Sequence, residues 1–251
     1  MSLSDAELER YARHIVLPRF GGVGQNKLNA ASVAVIGAGG IGSGAIPALA
    51  AAGVGKLTII DNDMVDRSNL QRQPIFRDDQ VGGEKAKLAA AFAVAINPHV
   101  EAMACERRID SGNAQELLSG HSLVLDGSDN FATRLAVSDA CVGLDIPLVS
   151  AAAVQFQGQV ALFRGRPCFR CFVGDAFDSD ECDNCAELGV LGALPLTIGG
   201  FGALLAIRAI AGMGNDAGTL HLLDADKLGW RAIRLPADPG CRTCGAPRQS
   251  G

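Results

Sequence analysis

Apolar and polar positions in the first part of the chain form short apolar runs separated by longer segments of helical pattern. Val33 to Ile36 is a continuous apolar run, which is typical of a parallel strand buried on both faces. Strands that alternate with helices at this spacing predict an α/β fold with a Rossmann-like, doubly wound and mostly parallel sheet. The predicted strands lie at 33–36, 56–61, 100–105, within 121–130 and at 146–152.

The pattern also predicts where several helices begin and end. Ser4 and Glu7 fit a capping box, so a helix is expected to begin there and to carry Leu8, Tyr11 and Ile15 on one face. Residues 20–31 resemble a glycine turn followed by a short helix. An alanine-rich helix runs to residue 52, with a glycine after it as a C-cap. Further helices are predicted at 82–97 and 133–143.

After residue 155 the pattern changes to short strands, at 159–163, 219–226 and 230–235, which predict an antiparallel C-terminal continuation of the same sheet. The sequence contains no internal repeat and no long linker. We therefore expect residues 1–251 to form one domain. This domain would comprise N-terminal helices at 1–30, a nucleotide-binding half at 31–154 and a second half at 155–251.

Composition narrows the function classes. A formal net charge of -5 gives no support for nucleic-acid binding, which usually shows a basic face. The N-terminus has no basic segment followed by an apolar stretch, so no signal peptide is predicted and the expected location is cytoplasmic. Residues 188–207 carry no charge over a length that could span a membrane. Their five glycines and Pro195 favour a buried loop and a core helix instead, so no membrane is expected.

The first strand leads directly into a glycine turn, Gly37, Gly39, Gly40 and Gly42, which opens the next helix. Such a turn brings backbone N–H groups and a helix N-terminus close to a phosphate. Asp61 ends the next strand, where dinucleotide-binding folds carry the acid that binds the ribose. The turn and the acid predict a nucleotide site but do not distinguish NAD from ATP.

Basic residues make that distinction. A triphosphate carries more charge than a dinucleotide and usually needs side-chain cations and a metal ion. Arg72, Lys85 and, further off, Arg13 are candidate triphosphate ligands, and Asp129 follows the fourth strand where it could hold Mg²⁺. An NAD-dependent oxidoreductase would leave these residues unexplained, and none of the four histidines lies in the glycine turn or directly after a predicted strand.

The eight cysteines include three pairs of the form Cys-x-x-Cys. Thiolates at this spacing commonly form a tetrahedral Zn²⁺ site, and a cytosolic protein has little use for structural disulfides. Spacing alone leaves three ways to choose four ligands. The pairs are Cys168 and Cys171, Cys182 and Cys185, and Cys241 and Cys244.

These motifs, in this order, resemble the MoeB/ThiF (HesA) family of adenylyltransferases, the bacterial ancestors of ubiquitin-activating E1 enzymes. The resemblance covers essentially the whole chain. The matching stretches are "RYARH" at 10–14, "GVGQNKL" at 22–28, "GAGGIGS" at 37–43, "DNDMVDRSNLQRQ" at 61–73, "GGEKA" at 82–86, "DGSDNFATR" at 126–134, "CFRC" at 168–171, "CAELGVLGALP" at 185–195 and "CRTC" at 241–244.

The resemblance implies ATP-dependent adenylation of the C-terminal Gly-Gly carboxylate of a ubiquitin-like sulfur-carrier protein. It implies that the glycine turn and Asp61 bind ATP and that Asp129 supports Mg²⁺. Arg13 would act in the partner's site of a homodimer. The expected catalytic residues are Arg13, Arg72, Lys85, Asp129 and Cys185, and the expected nucleotide ligands are Gly37, Gly39, Gly40, Gly42, Asp61, Asp63, Asn69, Arg72, Lys85, Asp129 and Asn130.

The resemblance also selects the first and last cysteine pairs as a structural zinc site, namely Cys168, Cys171, Cys241 and Cys244. The zinc would then belong to the second half of the chain, which would also bind the carrier. Cys185 aligns with a cysteine that forms a covalent link to the activated partner in some family members. No rhodanese domain follows Cys244, so we expect sulfur to come from a separate donor protein.

Three alternatives stay open at this point. The first is adenylation of a peptide or another small carboxylate, and the second is an NAD-dependent oxidoreductase on the same fold. The third is a non-catalytic binding module held together by zinc, against which the intact ATP motifs argue. For the family function, molybdopterin, thiamine and thiolation pathways are all possible destinations of the carrier.

Overall fold

One mixed sheet of eight strands organises the computed structural model, which describes residues 3–174 and 189–245. The strand order is β3-β2-β1-β4-β5-β6-β7-β8. The strands are β1 Ser32–Ile36, β2 Lys56–Ile60, β3 Glu101–Cys105, β4 Leu123–Asp126, β5 Leu148–Val154, β6 Gln157–Phe163, β7 Thr219–Asp224 and β8 Gly229–Arg234.

The pairing of the strands confirms the predicted fold class. Strands β1 to β5 pair in parallel, in the order 3-2-1-4-5, whereas β6, β7 and β8 continue the sheet in antiparallel pairing. From β1 the chain continues to β2 and β3 on one side of the sheet and then returns to place β4 on the other side of β1. The carboxyl ends of β1 and β4 therefore flank a crevice, which is where ligands bind in open α/β sheets.

Helices cover both faces of the sheet. They are α1 Asp5–Arg10, α2 Ala12–Ile15, α3 Gly21–Ala30, α4 Gly40–Ala52, α5 Lys85–Ile96, α6 Ala114–Leu118, α7 Phe131–Leu144, α8 Phe169–Val173 and α9 Ala193–Ala211. Strand β1 shows why two layers form: Val33 and Val35 pack with α4 and α9, whereas Ala34 and Ile36 pack with α7 on the other face. The central strand is therefore buried on both sides, as its apolar run predicts.

Helix ends are confirmed at three predicted positions and corrected at one. The capping box of Ser4 and Glu7 is present, and Gly53 ends α4 with a φ of 83°. The N-terminal helix is shorter than predicted, because the chain bends at the buried Tyr11, whose hydroxyl accepts a hydrogen bond from Asn97. The predicted glycine turn and short helix at 20–31 are also confirmed: Gly21, with a φ of 58°, begins α3, and a Cβ at Gly24 would meet the ring of Phe20.

Helix α9 is the apolar segment that the sequence analysis assigned to the core. Its length and composition would allow it to cross a membrane, but the core helices of soluble proteins often have the same length and composition. In the structure it packs against α4 and against β4, β5 and β6. Helices α4 and α9 approach so closely that a Cβ on Gly199 of α9 would meet the carbonyl oxygen of Ile41 of α4. The core-helix prediction is confirmed by this packing.

Candidate functional site

A cavity of about 690 Å³ opens at the carboxyl ends of β1, β2 and β4. It begins at the glycine turn and extends past the loop after β4 to β5 and β6. Most of the predicted nucleotide ligands line this cavity together: Gly37, Gly39, Gly40, Asp61, Asp63, Asn69, Arg72, Lys85, Asp129 and Asn130. The sequence motifs, which are far apart along the chain, therefore converge on one crevice.

The glycine turn is held by the acid that follows β2. Gly37 has a φ of 85°, which disfavours any residue with a side chain, and a Cβ there would lie in tight contact, 3.3 Å from the carbonyl oxygen of Gly127. The N–H of Ala38 donates to Oδ2 of Asp61 at 2.7 Å, and the N–H of Asp63 donates to Oδ1 at 2.8 Å. Burial raises the pKa of Asp61, although these two N–H groups and the nearby Lys85 oppose the rise.

Lys85 brings a buried positive charge to the cavity. The residue is only 5% exposed, and its Nζ lies 3.0 Å from Oδ2 of Asp63, whose own side chain is mostly exposed. The backbone N–H of Lys85 also donates to the carbonyl of Asp63 at 3.0 Å. Two contacts thus fix the start of α5 next to the loop after β2, with the ammonium group at the cavity wall.

Asn69 and Arg72 line the cavity from the short helix Arg67–Asn69 and from the turn that follows it. Asp66 caps this segment by accepting the N–H of Ser68 at 2.7 Å. The guanidinium of Arg72 donates to the carbonyl of Ser68 at 3.3 Å, and Gln73 donates to Oδ1 of Asn69 at 3.3 Å. The half-buried Arg72 therefore keeps most of its donors available for a ligand.

The loop after β4 carries the candidate magnesium ligand. Asp129 is exposed on the cavity wall, and the next residue, Asn130, caps α7 by accepting the N–H of Thr133 at 2.8 Å. Behind the loop, the fully buried Asp126 accepts hydrogen bonds from the N–H and the hydroxyl of Ser128. Burial raises the pKa of Asp126, and the cation that opposes the rise is Arg134.

Charge in the cavity differs in sign from the charge of the whole chain. Five basic side chains line the cavity against three acidic ones, whereas the chain has a net charge of -5. No histidine is among the described residues that line it. A polyanionic ligand is the chemistry that this arrangement favours. The basic residues are Arg72, Lys85, Arg107, Arg108 and Arg134, and the acidic ones are Asp61, Asp63 and Asp129.

Several cavity residues were not among the predicted ligands. Arg107 and Arg108 follow β3, and their position at a third strand end was the signal available in the sequence. Arg134 lies within the matching "DGSDNFATR" stretch but was given no role. Strands β5 and β6 add six further unpredicted residues to the lining, namely Ala152, Ala153, Val154, Gln157, Gly158 and Gln159. These small and amide side chains carry no motif that points to a ligand.

Three predicted site residues do not line the cavity. Gly42 lies inside α4, where a Cβ would meet the carbonyl oxygen of Gly37, so its role in the described structure is close packing. Arg13 is exposed on α2 and is not part of the cavity wall of its own chain. Cys185 lies outside the described residues, as does Cys182.

Four cysteine sulfurs meet at one point, and they are the four that the family resemblance selects. The Sγ atoms of Cys168, Cys171, Cys241 and Cys244 all lie within 4.8 Å of one another. The separations are 3.6 Å for Cys168 and Cys241 and 3.3 Å for Cys171 and Cys244. Four sulfurs at about 2.3 Å from one zinc ion lie about 3.8 Å apart in a tetrahedron. The cluster can therefore hold a metal ion.

A buried arginine ties the two cysteine pairs to helix α7. Arg170, which lies between Cys168 and Cys171, donates to Oδ2 of Asp139 at 2.7 Å and to the hydroxyl of Thr243 at 3.2 Å. Thr243 lies between the other two cysteines and itself donates to Asp139 at 2.7 Å. The carboxylate of Asp139 thus joins both pairs to the domain core.

Comparison with known proteins gives matches over nearly the whole chain. The profile of the ThiF family matches residues 11–243. A sulfur carrier protein adenylyltransferase from Thermus thermophilus is 41% identical over 253 residues, covering 98% of this chain and 93% of that protein. A molybdopterin-synthase adenylyltransferase from Salmonella typhimurium is 40% identical over 247 residues, covering 97% of this chain and 98% of that protein.

The fold is also found among solved structures. A crystal structure of Escherichia coli MccB with MccA-N7isoASN matches with a TM-score of 0.83, covering 97% of this chain and 76% of that one. Only 21% of the residues are identical, so this likeness supports the fold alone. It agrees with the mixed sheet described above.

Proposed function

The chain belongs to the ThiF family, and on that premise we propose that it is an adenylyltransferase. Its substrates would be ATP and a ubiquitin-like sulfur-carrier protein that ends in Gly-Gly. The reaction would join the carrier's C-terminal carboxylate to AMP and release pyrophosphate. The relatives named as adenylyltransferases of sulfur carriers and of molybdopterin synthase are similar to this chain over almost their whole length.

The observation that carries the proposal is the basic cavity that begins at the glycine turn. Backbone N–H groups of such a turn suit phosphate oxygens, and Arg72 and Lys85 add side-chain cations at the same edge of the sheet. A nicotinamide dinucleotide would not need this excess of positive charge. The described residues that line the cavity also include no histidine, the side chain that would most readily relay a proton in an oxidoreductase.

The chemistry needs little from the protein beyond position and charge. The carrier's carboxylate is already a nucleophile, so no general base is required when it attacks the α-phosphorus in line with the bond to pyrophosphate. One P–O bond forms and one breaks, and pyrophosphate leaves with the electron pair. Lys85 and Arg72 would bind the phosphates and offset the charge that accumulates on the departing group. Asp61 would orient the nucleotide through its ribose.

Asp129 is the residue that fits a magnesium ion. Its carboxylate is exposed on the cavity wall, and carboxylate oxygens are the ligands that Mg²⁺ prefers. When bound, the ion supplies charge neutralisation for the phosphates. Asp63 lies in the same cavity, but its carboxylate is already engaged by Lys85.

The four clustered cysteines fit zinc. Four thiolates fill all the positions of a tetrahedral zinc ion, so the site would be structural rather than catalytic. It would join residues 168–171 to the C-terminal segment, two parts of the chain that Arg170, Thr243 and Asp139 also connect.

A sulfur carrier is favoured over a free peptide as the second substrate. The relative named as a sulfur carrier protein adenylyltransferase is 41% identical to this chain and the molybdopterin-synthase adenylyltransferase is 40% identical, whereas MccB is 21% identical. We also propose a homodimer in which Arg13 is donated to the partner's cavity. Cys185 would take part in the later sulfur transfer, with sulfur supplied by a separate protein.

The test is ATP–pyrophosphate exchange with purified carrier proteins that end in Gly-Gly. We expect exchange with at least one carrier and none with the same carrier shortened by its last two glycines. A peptide-adenylating enzyme would instead promote exchange with short peptides alone. Exchange with neither kind of substrate, from protein that binds ATP, would refute the proposed function.

A further inference from the structure

Three buried residues connect the cysteine cluster to the loop that carries Asp129. Phe169 directly follows Cys168 and is 1% exposed, and Arg134 on α7 is 5% exposed. Asp126, at the end of β4, is fully buried. Burying a cation such as Arg134 and a carboxylate such as Asp126 away from water costs free energy unless each charge has a partner. The contacts between these two residues, and those with the loop, offset that cost.

Arg134 contacts groups on both sides. Its guanidinium carbon lies 4.7 Å from the centroid of the Phe169 ring, within the range of a cation–π contact. One terminal nitrogen donates to the hydroxyl of Ser150 at 2.8 Å, and Nε lies 3.9 Å from Oδ2 of Asp126. The flat guanidinium is therefore held between an aromatic ring, a hydroxyl and a carboxylate.

Asp126 in turn fixes the loop after β4. Its Oδ1 accepts the N–H of Ser128 at 2.9 Å and the hydroxyl of the same residue at 2.7 Å. Its Oδ2 has no hydrogen-bond donor among the described residues, so the ion pair with Arg134 is the contact that offsets its charge. Asp129 is the next residue of the loop. The orientation of the candidate magnesium ligand therefore depends on a carboxylate that depends on Arg134.

The other end of this connection starts at the cysteine cluster. Phe169 is the first residue of α8, a helix that contains Cys171 and directly follows Cys168. A metal ion held by both cysteines would fix this five-residue helix and with it the ring of Phe169. The ring would otherwise be anchored only by core packing, which includes an edge-on contact with Phe172 at 6.1 Å between centroids.

We propose that Arg134 is a positioning residue that transmits the rigidity of the cysteine cluster to the Asp129 loop. Phe169 holds the guanidinium, the guanidinium holds Asp126, and Asp126 holds Ser128 and the residues after it. The role assigned to Asp129 rests on the proposed function, but the order of the loop does not. A lysine at 134 could offset the charge of Asp126, yet its ammonium lacks the flat fork that meets the ring and Ser150 together.

Amide hydrogen exchange in the intact, metal-replete protein tests the connection. The readout is the exchange rate of the segment 123–131, with the segment 85–96 of helix α5 as a reference for opening of the whole fold. We expect Arg134→Met to speed exchange in the loop by on the order of tenfold or more relative to the reference segment. Phe169→Leu should produce a smaller increase in the same segment.

The matched control is Phe172→Leu. It makes the same change in the same short helix but leaves the ring that lies under the guanidinium. We expect its loop exchange to rise less than that of Phe169→Leu, because it removes one contact that anchors Phe169 but keeps the ring itself in place. Equal loop exchange in Phe169→Leu and Phe172→Leu would overturn the proposed route from the cysteine cluster, and unchanged exchange in Arg134→Met would overturn the role of Arg134.

A double variant separates positioning from simple loss of fold. Arg134→Met combined with Asp126→Asn removes both buried charges, and the asparagine oxygen can still accept from Ser128. We expect the double variant to regain much of the protection that Arg134→Met loses, because no charge is left buried without a partner. A double variant with faster loop exchange than Arg134→Met would contradict the proposal.

A binding measurement links the loop to the metal without relying on turnover. With ATP present, we expect Mn²⁺ to bind Arg134→Met on the order of tenfold more weakly than the unaltered protein, by electron paramagnetic resonance. Equal Mn²⁺ affinity together with faster loop exchange would overturn the claim that the loop positions a metal ligand. A failure of the proposed function would show differently, as the absence of pyrophosphate exchange in the unaltered protein.

Discussion

The carboxylate of Asp61 accepts the backbone N–H of Ala38 at 2.7 Å, so the acid after the second strand holds the glycine turn after the first. Sequence patterns assign these residues separate roles, one as ribose ligand and the other as part of a phosphate-binding turn. The hydrogen bond makes them one unit. A change at Asp61 should therefore disturb the phosphate end of the nucleotide site as well as the ribose end.

Replacing Asp61 with alanine tests this coupling. The variant loses a carboxylate that accepts two backbone N–H groups, and bonds to charged groups contribute about 1.5–3 kcal/mol each. We expect ATP affinity, measured by calorimetry, to fall by at least about tenfold. Asp226→Ala removes an exposed acid between β7 and β8 and should leave ATP affinity unchanged. Equal ATP affinity in both variants would contradict the assignment of Asp61.

The same carboxyl should affect stability as the pH changes. Burial raises the pKa of Asp61 above the ordinary value of 3.8, so the folded chain retains this proton at a pH where the unfolded chain has lost it. The contribution of Asp61 to the free energy of unfolding therefore falls as the pH rises from 3.8 through the folded pKa. Asp61→Asn lacks this titration.

Urea unfolding of both proteins at a series of pH values measures that effect. The free energy of unfolding of the unaltered protein, relative to that of Asp61→Asn, should decrease as the pH rises through this range. A relative stability that increases instead would mean that the folded pKa lies below 3.8 and that hydrogen bonding, not burial, dominates at Asp61.

Asp129→Ala is expected to behave differently from the Asp61 variant. The side chain is exposed on the cavity wall and its loss removes a metal ligand rather than a nucleotide contact. We expect ATP affinity without metal to stay within about twofold, and pyrophosphate exchange at a fixed low Mg²⁺ concentration to fall by on the order of 10²-fold. Asp129→Asn keeps one oxygen ligand and should retain more exchange. Unchanged exchange in Asp129→Ala would remove this residue from the magnesium site.

Metal analysis tests the cysteine cluster. The unaltered protein should contain about one zinc ion per chain. Cys168→Ser should lower both zinc content and thermal stability, because structural zinc binding is coupled to folding. Cys105→Ser, at a half-buried cysteine in β3 that is not one of the four clustered cysteines, should leave zinc content unchanged. Full zinc content in Cys168→Ser would show that the site uses other ligands, and Cys182→Ser would then be the next variant to measure.

The parallel sheet was predictable because its strands are short, mainly apolar runs that lie between segments rich in glycine and polar residues. The glycine turn, Asp61, Lys85 and the fourth-strand loop were also predictable, since strand ends of a parallel sheet meet at one edge. The start of α3 was predictable as well, because Gly21 adopts a φ of 58°, a conformation that favours glycine.

The buried contacts could not be predicted from the sequence. Arg134 and Asp126 are eight positions apart in one motif, and either could have been a surface charge. Their burial depends on Phe169 and Ser150, which come from other parts of the chain. The choice among three cysteine pairs likewise depended on family resemblance, because spacing is the same in all three.

Arg13 provides the sharpest test of the proposed dimer. It is exposed on α2 and does not line the cavity of its own chain, so a role in catalysis requires a second chain. An arginine supplied in trans can increase phosphoryl-transfer rates by on the order of 10³-fold. Arg13→Ala should therefore lower pyrophosphate exchange severely without dissociating the dimer, whereas Arg10→Ala, on the adjacent α1, should change it little.

Mixing Arg13→Ala with Arg72→Ala decides between action in cis and in trans. If Arg13 acts on the partner, each mixed dimer has one cavity that lacks both arginines and one that lacks neither. Half of the subunits in an equal mixture are then in mixed dimers, so exchange should recover to about a quarter of the unaltered level. If Arg13 acts in its own chain, every cavity keeps one defect. A mixture as inactive as its parents, despite subunit exchange demonstrated by mass spectrometry, would therefore exclude donation in trans.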